Sequence, residues 1–117
     1  MDEITRDAIE AAAFRRLLRH LRARDDVANI TLMGEAGFCR NCLADWVADA
    51  AADAGVPMDR EAARAHVYGE PYAAFKARQP EATAEQMARM EASLAENARR
   101  RTNLHDAKPV GTAGRAQ

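Results

Sequence analysis

The sequence predicts a single all-α domain, a compact bundle of about five to six short helices with a disordered C-terminal tail. Through most of the chain, apolar residues recur at spacings of three and four, which is the repeat of a helix with one buried face. No segment shows a convincing strand alternation, and valine and isoleucine are too sparse for a sheet. A chain of 117 residues fits one domain. We place the helical domain at residues 1–98 and a basic, disordered tail at residues 99–117.

The first two helices are predicted from an apolar stripe and from capping residues. The stripe of the first helix, over about residues 4–24, consists of Ile4, Ala8, Ala11, Phe14, Leu17, Leu18 and Leu21. A second, short helix is predicted to start after Asp25 and Asp26, because an aspartate oxygen accepts hydrogen bonds from the free amides at a helix start. We expect Gly34 and Gly37 to break this helix.

Glycine and proline mark the limits of the third and fourth helices. The third is predicted over about residues 39–54, since Gly55 suits a helix C-terminus and Pro57 blocks continuation. Asp59 is expected to cap the fourth helix, which ends at Gly69.

The fifth and sixth helices are predicted from proline and from a capping motif. Pro71 suits the first turn of a short fifth helix, because proline lacks only an amide hydrogen that has no partner there. This helix stops before Pro80. Thr83 and Gln86 form a capping box that opens the sixth helix. The stripe of that helix is Met87, Met90 and Leu94. Few large apolar side chains follow about residue 101, and this composition predicts disorder.

Charge and hydropathy limit the classes of partner. The net charge is −1, and so small a charge produces no electrostatic field strong enough to attract nucleic acid or an acidic membrane surface. We interpret Arg99 to Arg101 as a solvated helix end, with a phosphate contact as the alternative. No stretch approaches the ~20 apolar residues of a membrane span, and the N-terminus lacks the pattern of a secretory signal. We therefore expect a cytoplasmic protein that does not bind membranes, and weak binding of nucleic acid through the basic tail is only a third hypothesis for its function.

The Cys-x-x-Cys pair, Cys39 and Cys42, stands at the start of the predicted third helix. Both sulfurs fall on its apolar stripe with Leu43 and Trp46, and free cysteine packs as a small hydrophobe, so packing is the favoured interpretation. Redox chemistry is one alternative, because the first turn of a helix lowers the pKa of a thiol. A metal site is the other, because such a pair supplies two of the four usual zinc ligands.

A zinc site would require further ligands, and histidine is the first residue type to consider. The chain has three: His20, His66 and His105. His20 borders the apolar face of the first helix and is the better candidate, so the candidate metal ligands are Cys39, Cys42 and His20. A histidine at a core edge is more often a hydrogen-bonded structural residue than a ligand. We therefore expect no cofactor, with zinc as the alternative.

Aromatic and methionine side chains suggest a packing or partner surface. Tyr68, Tyr72 and Phe75 surround a Gly/Pro break, which favours a helix corner whose rings seal the core. A stacking platform for a ring-shaped ligand is the alternative. Met87 and Met90 lie at helical spacing, as on a packing or partner face. The candidate interaction surface is therefore Tyr68, Tyr72, Met87 and Met90.

Several segments together resemble one catalogued family. They are Phe14-Arg15-Arg16-Leu17, Asp26-Val27-Ala28-Asn29-Ile30, Gly37-Phe38-Cys39-Arg40-Asn41-Cys42-Leu43 with Trp46, and Val67-Tyr68-Gly69 with Pro71-Tyr72. Over roughly residues 6–80 they resemble the small, mostly proteobacterial family known as domain of unknown function 1244. The resemblance implies a compact helical fold in a bacterial cytoplasmic protein, without an established activity.

The function hypotheses follow from what the chain has and lacks. It has no Gly-rich phosphate loop, no Gly-x-Ser-x-Gly elbow and no His-Glu-x-x-His pair, so we lean against an enzyme. Alanine adds little buried apolar area to a domain of this size, which favours self-association. The leading hypothesis is a non-enzymatic helical module that pairs with itself, a dimer being favoured, or with another protein. A metal-binding or thiol redox protein that uses Cys39 and Cys42 is the alternative.

Overall fold

A computed structural model of the chain describes residues 1–102 and residue 104, and in this part it forms six helices and no strand. In chain order they are α1 (Glu3–Ala23), α2 (Asn29–Ala36), α3 (Arg40–Asp53), α4 (Arg60–Tyr68), α5 (Tyr72–Ala77) and α6 (Ala84–Arg100). The predicted all-α class is confirmed. None of these helices is long and apolar enough to cross a membrane.

Most of the predicted helix ends are confirmed by local hydrogen bonds. Asp59 accepts a hydrogen bond from the backbone N–H of Ala62 at the start of α4. Gly69 follows the same helix with a φ of +73°, in the left-handed region that favours glycine. Thr83 and Gln86 form both hydrogen bonds of the capping box at the start of α6.

The predicted start of the second helix is wrong. Helix α2 begins at Asn29, and its N-cap residue is Ala28, whose methyl side chain cannot accept a hydrogen bond. The carboxylate of Asp26 instead accepts two hydrogen bonds from the guanidinium of Arg24. An ion pair between near neighbours in the loop has therefore replaced the expected cap.

Gly34 does not break α2 but lies inside it. A Cβ atom at Gly34 would stand 3.3 Å from the Cβ of Arg89 on α6, so glycine here permits close approach of the two helices. Gly37 is the residue that ends α2, with a φ of +79°. Of the two predicted breaks, only the second is a helix end.

The core lies where α1, α3, α4 and α5 meet. Its buried members are Leu18, Leu21, Leu43, Ala44, Ala63, Val67, Tyr68 and Phe75. Helix α2 packs against α6. Two polar contacts join these helices, Glu35 with Arg89 and Thr31 with Gln86. A third joins Asn97 of α6 to the carbonyl of Gly37, the residue after α2.

Helix α1 extends beyond the part of the chain on which it packs. Its buried residues, Leu18 and Leu21, lie in its C-terminal half, and every residue from Met1 to Glu10 is exposed. The apolar stripe predicted from the sequence therefore continues past the core. Ile4, near the start of the helix, is 82% exposed.

The predicted tail begins within a helix. Arg99 and Arg100 form the last turn of α6, and both make ion pairs with Glu96. Leu104, which the sequence places in the tail, is buried. The rest of the predicted tail, residues 105–117 together with residue 103, lies outside the described residues.

Candidate functional site

The Cys-x-x-Cys pair occupies the first turn of α3. Cys39 is the N-cap residue, with extended backbone angles, and Cys42 is the third residue of the helix. Their Sγ atoms lie 3.9 Å apart. Both thiols are free and buried. The inward orientation expected from the helical wheel is therefore what the structure shows.

An apolar shell surrounds the two sulfurs. The pair forms one cluster with the buried Leu104, and Leu32, Met33 and Phe38 pack against it. The indole N–H of Trp46 donates a hydrogen bond of 3.0 Å to the carbonyl of Leu104 and so ties this residue to α3. The Trp46 ring also stacks on Phe38, with centroids 6.1 Å apart. Leu104 thus covers the thiols from a position 62 residues beyond Cys42 in sequence.

The two thiols have different acidities because they share one hydrogen bond at a helix start. A hydrogen bond from Cys42 to the Cys39 sulfur, with further hydrogen bonds from the backbone of Cys42 and Asn41, lowers the pKa of Cys39 to about 6. The same contact raises the pKa of Cys42, and burial adds to this rise. The shared hydrogen bond therefore favours the thiolate on Cys39 and the thiol on Cys42.

The alkylation rate of Cys39 is expected to depend on pH with a midpoint near 6, below the ordinary value for a free thiol of about 8.5. The measurement is the rate of iodoacetamide incorporation at Cys39, followed by mass spectrometry of the digested protein between pH 5 and 9. Cys42→Ala is the matched variant, because it removes the principal hydrogen-bond donor to the thiolate. A midpoint that stays unchanged in this variant would refute the assigned cause.

Between the two cysteines, Arg40 is the most buried charged residue among those described. Its side chain is 2% exposed. The guanidinium donates hydrogen bonds to the carbonyls of Leu21 (3.0 Å) and Arg24 (2.8 Å), which end α1, and to that of Val27 (2.8 Å) in the following loop. Burial lowers the pKa of Arg40, although arginine remains protonated at neutral pH. Arg40 is therefore a cap for the C-terminus of α1, supplied by α3.

Arg40 also belongs to a side-chain network that reaches α4. It donates a hydrogen bond of 3.0 Å to Oδ1 of Asn29, whose Nδ2 donates to the Tyr68 hydroxyl at 2.8 Å. The Tyr68 hydroxyl in turn donates to Oδ1 of Asn41, also at 2.8 Å. Burial raises the pKa of Tyr68 to about 12, so the hydroxyl keeps the proton that it donates. The Arg-Asn pair of the motif thus joins the starts of α2 and α3 to the end of α4.

The candidate metal ligands named from the sequence, as the alternative to packing, do not form a group in the described residues. Within residues 1–102 and 104, no group of three or more His, Cys, Asp or Glu side chains is arranged to hold a metal ion. His20 is exposed on α1 and makes no such group with Cys39 and Cys42. The buried residues of α1 are Leu18 and Leu21, and not His20. His105 lies outside the described residues.

The aromatic residues form the helix corner that the sequence favours. Tyr68 is buried, and its ring lies 5.3 Å from that of Tyr72 and 4.8 Å from that of Phe75. Tyr68 is therefore a core residue and contributes little to an exposed surface. Of the two methionines in the candidate interaction surface, Met87 is exposed on α6 and Met90 is partly buried.

The cysteines and the polar network around Arg40 lie in a region of the chain that matches a family model. The model for "Protein of unknown function (DUF1244)" matches residues 27–92, which is more than half of the chain. The chain belongs to the DUF1244 family. No curated protein sequence matches it. The DUF1244 region contains Asn29, Arg40, Asn41 and Tyr68, so the polar network lies wholly inside the family domain, whereas all of α1 precedes it.

Sequence reasoning missed Arg40, Asn29 and Leu104. Arg40 and Asn29 entered only as parts of the segments that resemble the family, and Leu104 was placed in a disordered tail. No local signal marks Leu104, because its partners are 58 to 65 residues away in sequence.

Proposed function

We propose that this DUF1244 protein is a non-enzymatic self-association module, and that the N-terminal half of α1 is the surface that pairs two copies. The observation that carries the proposal is the exposed continuation of the apolar stripe beyond the core. Ile4, on that stripe, is 82% exposed, and Ile9, in the same half of the helix but outside the stripe, is 53% exposed. A partner that packs on this half of α1 would cover both side chains.

The length of α1 supports this function. The helix has 21 residues, or about 30 Å, and all of its first eight residues are exposed. A short helix without tertiary contacts is marginal in water, because most helical stability in proteins comes from packing of an apolar face. A partner that covers this half would supply the missing contacts.

The charges of α1 favour a second copy of the chain, in antiparallel orientation, as that partner. The first ten residues carry Asp2, Glu3, Asp7 and Glu10 against Arg6 alone. The second half carries Arg15, Arg16, Arg19 and Arg22. Two antiparallel α1 helices therefore bring halves of unlike charge together, whereas a parallel pair would bring like charges together. A two-fold axis relates such copies naturally.

Ile4→Asp is expected to raise the dimer dissociation constant about tenfold or more, because it places a charge in the apolar contact. The fold should be retained, since an aspartate in the first turn of a helix is favourable. The measurement is molar mass by light scattering after size exclusion, over a concentration series. Val56→Asp is the matched control, because Val56 is 49% exposed in the loop between α3 and α4. A wild-type monomer at high micromolar concentration would refute self-association.

A charge exchange within α1 tests the orientation. Glu3→Arg with Glu10→Arg should weaken the dimer, because both halves of the helix are then basic. Adding Arg15→Glu, Arg16→Glu and Arg19→Glu to the same chain should restore an antiparallel homodimer, since the second half is then acidic and again faces a half of opposite charge. Failure of this combined variant to dimerise, with the wild type still dimeric, would exclude the antiparallel arrangement and keep the self-association.

A further inference from the structure

The dithiol in the first turn of α3 has a geometry that self-association through α1 does not use. The two sulfurs are 3.9 Å apart on one turn of helix, and a disulfide requires about 2.05 Å. Rotation about the side-chain bonds of the two cysteines would bring the sulfurs closer, and this movement is smaller than a change in the backbone. The pair has no third metal-binding side chain beside it among the described residues.

From the 3.9 Å approach of the sulfurs at the helix start, and from the cover that Leu104 places over them, we propose that Cys39 and Cys42 are a disulfide-forming dithiol whose access to a small peroxide is controlled by Leu104. The site is independent of the α1 surface. Arg40, which lies between the two cysteines in sequence, holds the start of α3 in place through its hydrogen bonds to the end of α1 and the following loop.

The reaction is balanced with one molecule of hydrogen peroxide. The Cys39 thiolate attacks one oxygen, the O–O bond breaks, and the departing hydroxide takes from solvent the equivalent of the proton that Cys39 released on ionising, which makes it water. Cys39 is then a sulfenic acid. The sulfur of Cys42 attacks the Cys39 sulfur, and the leaving hydroxide combines with the Cys42 proton as a second water. Relative to the dithiol, the protein loses two protons and two electrons, and the peroxide is reduced to two waters.

The roles of the two thiols follow from their positions. Cys39, the N-cap residue, is closest to the unpaired amides of the first turn, which stabilise its thiolate. Cys42 stays protonated because it donates to that thiolate and is buried. Cys39 is therefore the attacking residue and Cys42 the resolving one.

Leu104 sets the rate at which an oxidant reaches Cys39. It is 8% exposed, belongs to the same buried cluster as the two cysteines, and accepts a hydrogen bond at its carbonyl from the indole N–H of Trp46. Leu104 follows the end of α6 by only a few residues. We therefore expect that Leu104 can leave the thiols, and so expose them, while the helices that carry them stay folded. Trp46 is the chain's single tryptophan, so its fluorescence reports this detachment.

The experiment is exposure of the folded, reduced protein to hydrogen peroxide, followed by intact mass. We expect a loss of two hydrogens that dithiothreitol reverses, with a change in Trp46 fluorescence. In Cys42→Ser the reaction should stop at a sulfenic acid on Cys39, which dimedone traps. In Cys39→Ser neither product should form.

Leu104→Ala should accelerate disulfide formation about tenfold or more, because it removes most of the cover. Leu94→Ala is the matched control, since Leu94 is a partly exposed leucine of α6 that does not contact the thiols. Circular dichroism of each variant establishes that the helices are intact. The proposal is overturned if both the wild type and Leu104→Ala keep their mass in peroxide while the urea-unfolded chain is oxidised. It is also overturned if Leu94→Ala accelerates the reaction as much as Leu104→Ala.

Discussion

Arg40→Leu is expected to lower the free energy of unfolding by about 3 kcal/mol. The substitution removes the guanidinium donors to the carbonyls of Leu21, Arg24 and Val27, of which only that of Arg24 keeps another donor, the backbone N–H of Val27. A buried acceptor that loses its partner costs ~1–3 kcal/mol. Removal of the desolvated guanidinium offsets part of this cost, since a buried charge is itself unfavourable. The measurement is urea unfolding followed by circular dichroism.

Two further variants separate the causes in the Arg40 experiment. Arg40→Lys keeps the charge but presents one compact ammonium, which cannot reach the end of α1 and the loop after it together, so we expect a loss nearly as large. Arg15→Leu removes an exposed arginine of α1 and should change stability by no more than about 0.5 kcal/mol. Equal effects of Arg40→Leu and Arg15→Leu would contradict the capping role of Arg40.

Gly37→Ala is expected to cost about 2 to 3 kcal/mol, for two reasons. The residue has a φ of +79°, where an L side chain is strained by ~1–2 kcal/mol. In addition, its Cβ atom would stand 2.5 Å from Oδ1 of Asn97. Asn97 would then have to move, and the 2.8 Å hydrogen bond from its Nδ2 to the Gly37 carbonyl would be lost.

Gly55→Ala is the control for the backbone strain at Gly37. Gly55 has a similar φ of +74°, but no atom lies within 4 Å of the position where its Cβ would be. We expect this variant to lose about 1 kcal/mol, so the difference between the two glycines measures the contact with Asn97. If Gly55→Ala costs as much as Gly37→Ala, the contact between α2 and α6 contributes nothing at this point.

Helix positions followed from the sequence where short-range interactions decide them. The caps at Asp59 and Thr83 and the end at Gly69 depend on residues within four positions, so the local pattern was sufficient. The start of α2 was predicted wrongly because two local partners compete for Asp26. The guanidinium of Arg24 is a charged donor, and it outcompetes the neutral amides of a helix start.

The candidate site was predictable only in part. The apolar stripe of α3 placed both cysteines inward correctly, since inward orientation depends on the period of one helix. The position of His20 relative to them could not be predicted in the same way, because the relative rotation of α1 and α3 is a property of two packed helices. The burial of Arg40 was equally beyond a local pattern: the four acceptors of its guanidinium lie 11 to 19 residues earlier in the chain.

By itself, the sequence determined the all-α class, most helix limits and the inward orientation of Cys39 and Cys42. Its motifs were also sufficient to indicate the DUF1244 family. These properties depend on helical periodicity and on caps that contact residues a few positions away. Only the tertiary structure decided that Arg40 caps α1, that Leu104 covers the thiols, and that the first half of α1 is left without contacts. Each of these depends on which segments, far apart in sequence, pack against each other. The free energy of such contacts comes from the surface that they bury, and a local sequence pattern does not predict which surface that is.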